Sequence, residues 1–284
     1  MEISISDQTG KLYRYPEFPS RFAHSRHVDV WLPPAYEQQP EAHFPVLYMH
    51  DGQNLFDPNL CGFGIDWGID EAINRLADRQ VIRPAIVVGA WCTDLRWPEY
   101  MPQKALEQPG AAKLRQAFIE LYSSQPVSDG YLRFVVEELK PRIDAELRTL
   151  PGREDTFMMG SSMGGLASLY AVEQYPQIFG GAGCLSTHWP AGGDLLVDYL
   201  GGSLPPPGQH KLYFDYGTEG LDADYEPFQM RFDEYLRKAG YQYGIDWMTE
   251  KFAGAPHNET AWRARVEIPL RFLLRGIHTD VISG

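Results

Sequence analysis

Short apolar runs rich in β-branched and aromatic residues recur along the chain, separated by longer stretches of helical periodicity. The runs Val28–Leu32, Pro45–His50, Ala85–Trp91, Thr156–Met159, Ala182–Ser186, Leu212–Tyr216 and Asp246–Phe252 read as strands. Several are almost continuously apolar, the pattern of strands covered on both faces. Tyr131–Arg148 gives the clearest helix, its apolar residues Leu132, Val135, Val136, Leu139, Ile143 and Leu147 falling on one face. Pro141 inside it should kink or divide it. Glu71–Asp78, Gly164–Gln174, Asp224–Ala239 and Glu259–Arg275 complete the helical set. Such alternation predicts one α/β domain with a mostly parallel sheet and helices on both faces. Met101–Asp129, with a short helical segment at Ala111–Tyr122, and His188–His210 break the rhythm. Both are long for simple connections and suit surface excursions or pocket walls.

Composition narrows the picture. The 284 residues can bury a core without staples, and 27 glycines with 22 prolines, lacking any repeat, indicate many turns. The 25 Lys and Arg against 38 Asp and Glu leave a net charge of −13, which disfavours nucleic acid and anionic membranes. Cys61, Cys92 and Cys184 have no metal-type spacing and read as buried thiols. Met1–Gly10 has no signal-peptide pattern, and nowhere do 18 apolar residues follow one another. The expectation is a soluble cytoplasmic protein.

Candidate chemistry centres on Gly160-Ser161-Ser162-Met163-Gly164. A G-x-S-x-G match arises by chance roughly once in eight chains of this composition, so its setting carries the weight. It lies between a predicted strand and a predicted helix, where a serine nucleophile sits on a sharp turn at a helix N-terminus. Ser162 is the candidate nucleophile. His257 follows the last strand, at the same carboxyl edge of the sheet, and is the candidate base. His24, His27, His43 and His278 read as structural or exposed; His50 ends a strand but suits a structural role. The order Ser, acid, His calls for a carboxylate after Leu212–Tyr216. Asp222 is favoured there and Glu219 is the alternative, with Asp224 suited to capping the next helix and Asp215 inside the strand. Backbone N–H groups of Met163 and Gln53 are the candidate oxyanion donors. Asp51, Arg96, Glu99, Tyr100, His188 and Trp189 are candidate pocket residues, and Trp67, Trp189 and Trp262 could line an aromatic cleft. No cofactor or metal is expected; the histidines do not cluster and His50-Asp51 lacks a partner at ligand spacing.

These segments together resemble the esterase family of α/β-hydrolases, which includes feruloyl and acetyl-xylan esterases, S-formylglutathione hydrolases, siderophore esterases and mycolyltransferases. The matching stretches are Pro45–Gly52, Arg96–Tyr100, Gly160–Gly165, Gly217-Thr218 and Ala255–Glu259 preceding Trp262. The resemblance implies an α/β-hydrolase fold, Ser162 as nucleophile, His257 as base and an acid just after Gly217-Thr218. Many members carry that acid three residues after the glycine, where this chain has Gly220. The expected activity is hydrolysis of a small-molecule or carbohydrate-linked carboxylic ester. Acyl transfer by the same residues, or a catalytically silent binding module, are the alternatives.

Overall fold

A computed structural model describes residues 2–3, 10–61 and 64–275. Among them, nine strands form one sheet: β1 Glu2–Ile3, β2 Lys11–Phe18, β3 Arg26–Leu32, β4 Val46–Met49, β5 Ile86–Ala90, β6 Thr156–Ser161, β7 Gly181–Leu185, β8 Lys211–Gly217 and β9 Trp247–Phe252. Their order is β1-β2-β3-β5-β4-β6-β7-β8-β9. The first three are joined antiparallel, as is β3 to β5, and every other pair is parallel. This is the mostly parallel sheet of the α/β-hydrolase fold.

Successive strand residues point to opposite faces, and both faces are buried. Val46, Tyr48, Val88, Met158 and Phe214 join one core, beneath the helices 128–146, Met163–Gln174 and Gly193–Gly202. Leu47, Met49, Val87, Phe157 and Tyr213 join the other, with the helices Ile69–Asp78 and Glu267–Leu274. Covering both faces makes these strands continuously apolar in sequence. β2 escapes that signal. It carries Pro16, a register shift between Tyr15 and Phe18, and Arg14, which forks onto Asp29 of β3 at 2.6 and 2.7 Å.

Four helices differ from their expected form, and proline or glycine bears on each. Helical structure runs from Ser128 to Glu146, with a π-helical stretch at Phe134–Leu139 just before Pro141. The wider turn absorbs the hydrogen bond that proline cannot donate, so the segment is neither cut nor ended. The predicted helix Glu259–Arg275 is two, Glu259–Arg265 and Glu267–Leu274, because Pro269 has no N–H for the Arg265 carbonyl. The stretch 188–210, expected as loop, contains the helix Gly193–Gly202, whose flanking glycines hid it. Asp224 does not cap the following helix: that helix starts at Glu226, with Pro227 in its first turn, and Asp224 closes a 3₁₀ turn, Gly220–Asp224. No described helix is long and apolar enough to cross a membrane.

Candidate active site

Ser162 stands where β6 meets the helix Met163–Gln174. Its backbone has φ 58° and ψ −122°, a conformation rarely tolerated by a residue with a Cβ. Neighbouring chains hold it there. Its N–H donates to the Leu185 carbonyl at 2.9 Å, and its carbonyl accepts N–H groups from Gly165 at 3.1 Å and His188 at 3.2 Å. Space is tight before the turn: a Cβ on Gly160 would lie 3.0 Å from the Gly164 carbonyl carbon and from His50 Cδ2, so a larger residue there would push its neighbours aside. Met163 opens the helix, where backbone N–H groups lack carbonyl partners within the helix.

The loop after β4 faces this turn. Asp51 adopts φ 54°, and Gly52–Asn54 form a 3₁₀ turn pressed onto β5. A Cβ on Gly52 would meet the Gly89 carbonyl oxygen at 2.4 Å, so the close approach demands glycine. The Gln53 amide clasps Cys92, donating to Sγ at 3.0 Å and accepting the Cys92 N–H at 3.2 Å. Arg96 grips both oxygens of Asp51 at 2.7 Å. Burial alone would raise the Asp51 carboxyl, but the guanidinium holds it below its ordinary range. Tyr100 lies beneath, accepting the Asp51 N–H at 3.2 Å.

His257 occupies the turn after β9, fixed by Asn258, whose side chain caps the next helix through the Ala261 N–H at 3.0 Å. Its Nδ1 is 2.5 Å from Oδ1 of Asp222, which lies in the 3₁₀ turn after β8. Asp222 is only 1% exposed, and its Oδ2 accepts the Ser186 hydroxyl and the Gly217 N–H, both at 2.6 Å. Burial pushes this carboxyl up, yet His257, Ser186 and Gly217 together hold it below the usual value. Glu219 is exposed, so of the two candidate acids it is Asp222 that faces the histidine. An imidazole whose Nδ1 is engaged by a carboxylate presents Nε2 as its basic nitrogen.

Ser162, His257, Asp51, Gln53 and Arg96 line one cleft of about 410 Å³, walled by Trp67 and Trp262 and closed by Asn258 and Glu259. Burial, with Asp51 nearby, raises the Glu259 carboxyl. Of the other expected pocket residues, Glu99 and Trp189 lie away from the cleft, whereas His188 stands beside His257 without lining it. Glu99 is buried beneath the cleft in a fork with Arg26 at 2.5 and 3.0 Å, because a strand-to-helix ion pair there needs its carboxylate. Trp189 is a core residue, 1% exposed, packed on Phe232 and Phe214 and donating to Gln229 at 3.0 Å. His188 is half-buried with its Nδ1 2.5 Å from the Tyr225 hydroxyl and its ring 6.4 Å from that of His257. Burial and the neighbouring His257 lower its pKa to about 4. His50 is buried with Nδ1 at 2.8 Å from Tyr131, beneath the serine turn. His278 lies outside the described residues. Of the cysteines, Cys184 is buried, whereas Cys61 and Cys92 are only partly so. Among the described residues, no group of three or more His, Cys, Asp or Glu could hold a metal ion. Sequence reading missed Ser186, Arg265, Asn258 and Glu259; the last two adjoin His257 and were within reach of it.

The family model described as "Putative esterase" matches residues 20–268. Among individual proteins, the chain is 24% identical over 198 residues to the Bacillus subtilis (strain 168) protein YbbA, covering 69% of this chain and 70% of that one. It is 26% identical over 159 residues to the ferri-bacillibactin esterase BesA of the same organism, covering 53% and 50%. Among solved structures, it superposes on an IroE-like serine hydrolase from Shewanella oneidensis with a TM-score of 0.70 at 20% identity, covering 93% and 80%. A ferulic acid esterase gives 0.67 at 18% identity, covering 94% and 98%. With its sheet order, its strained serine turn and a family match over most of its length, the chain belongs to the esterase family of α/β-hydrolases and is a carboxylic ester hydrolase.

Proposed function

We propose that the chain cleaves small-molecule or carbohydrate-linked esters through Ser162, His257 and Asp222 by way of an acyl-enzyme. His257 Nε2 takes the Ser162 proton as Oγ attacks the ester carbonyl. The oxyanion that forms rests on the backbone N–H groups of Met163 and Gln53. The C–O bond to the alcohol breaks, His257 returns the proton to the leaving oxygen, and water repeats the sequence on the acyl-serine. Asp222 stays ionised throughout, holding the Nδ1–H tautomer and balancing the imidazolium. The observation that carries this reading is that His257, which lines one cleft with Ser162, sits 2.5 Å from the buried carboxylate of Asp222.

Trp67 and Trp262 favour an aromatic or apolar acyl group against the cleft wall. The names of two similar proteins, a ferri-bacillibactin esterase and a ferulic acid esterase, make siderophore and feruloyl esters the first substrates to assay. Ser162→Ala is expected to lower hydrolysis of a simple aryl ester by roughly 10⁴-fold or more and to abolish labelling by a fluorophosphonate. Full activity in that variant would sink the reading.

A further inference from the structure

Around Oδ2 of Asp222 lies a buried polar chain, reaching the cleft only through Trp262, to which the proposed reaction assigns no role. Ser186 follows β7 directly and sits at φ 42°, in the left-handed region, with its side chain fully buried. Its backbone N–H is held by Asp215, at 2.9 Å to the carbonyl and 3.1 Å to Oδ1. Its Oγ meets three groups: Asp222 Oδ2 at 2.6 Å, Arg265 Nη2 at 2.8 Å and Trp262 Nε1 at 3.0 Å. Arg265 is fixed in turn by Asp215 at 2.8 Å, and Asp215 also accepts the Tyr213 hydroxyl at 3.0 Å.

Donor and acceptor capacity decides where the Ser186 proton goes. A hydroxyl has one proton and two lone pairs, whereas indole and guanidinium nitrogens only donate. With Trp262 and Arg265 both donating to Oγ, the single proton is left for Asp222. We infer that Ser186 is a positioning residue for Asp222, its hydroxyl locked toward the carboxylate by Trp262 and Arg265. This inference rests on the reading of Asp222 as the acid that supports His257. Ser186 and Gly217 saturate Oδ2 and fix the carboxylate plane, leaving Oδ1 aimed at His257 Nδ1–H. A strained Ser186 backbone and a wholly buried Arg–Asp pair are poor devices for stability but good ones for fixing a direction.

A double-mutant cycle tests it. Ser186→Ala should lower kcat on an aryl ester roughly tenfold to a hundredfold, with KM within about twofold. Arg265→Lys keeps a cation for Asp215 but is too short to reach Ser186 Oγ as well, and Arg265 does not line the cleft; it should lower kcat about three- to fivefold in the parent and not at all in the Ser186→Ala background. The inference is overturned if Ser186→Ala keeps kcat within about twofold or loses only KM, or if Arg265→Lys changes kcat by the same factor in both backgrounds. Circular dichroism establishes that each variant folds. Should Ser186→Ala not fold, Arg265→Lys decides alone: reduced kcat at unchanged KM supports the inference, and unchanged kcat refutes it. Full activity of Ser162→Ala would instead sink the reading on which the inference rests, whatever Ser186 does.

Discussion

A single carboxylate shows how narrow the margins are at the residue scale. Asp222 and Glu219 lie three positions apart in one loop, yet one is buried against His257 and the other is exposed. Asp222→Asn should lower kcat by about 10⁴-fold, because an amide can turn its donor toward the ring and stabilise the wrong tautomer. Glu219→Gln should stay within about twofold of the parent in the same aryl-ester assay, for want of any contact with the imidazole. Equal losses in the two variants would contradict the assignment. Ser162, His257 and a nearby acid were legible in the sequence because motif, chain order and strand-end position all converge on them. Ser186 and Arg265 were not. Neither has a motif, and the left-handed backbone at Ser186 has no mark in the residue type.

The helix that begins at Met163 is the most deeply buried element around the site, and its far end carries a cost. Glu173 is buried with no hydrogen-bond partner for either carboxylate oxygen, and burial raises its pKa well above the ordinary value of 4.5. Below pH 4.5 both folded and unfolded chains hold the proton. At higher pH the unfolded chain releases it while the folded one retains it, so stability falls as pH rises. Glu173→Leu should therefore raise the urea midpoint at pH 8, with the gain shrinking toward pH 5; each retained proton is worth about tenfold in the folding equilibrium per pH unit. Parallel pH curves for parent and variant would refute this. At this scale the interior strands were readable because burial on both faces leaves them uniformly apolar. β2 was not, since its ion pair with β3, its Pro16 and its half-exposed face erase that signature. The helix Gly193–Gly202 was lost for a different reason, glycines at both ends of an otherwise apolar run.

The net charge of −13 belongs to the whole molecule and acts on encounter more than on chemistry. An anionic aryl ester should show kcat/KM rising about two- to fivefold between about 20 mM and about 200 mM salt, as screening weakens the repulsion. A neutral ester of similar size should change little. Identical salt responses would mean that the field at the cleft mouth, where Arg96 faces Asp51, is not that of the average surface.

The order in which the sheet is laid down has its own consequence for biosynthesis. Ser162 leaves the ribosome with the strand β6, but Asp222 follows β8, about 60 residues later, and His257 follows β9, about 95 residues later. A nascent chain can thus complete the strained serine turn long before any base is near it. If Ser162 is the nucleophile proposed above, it is expected to stay dormant until the last parallel strands dock, with hydrolysis beginning only once nearly the whole sheet has closed.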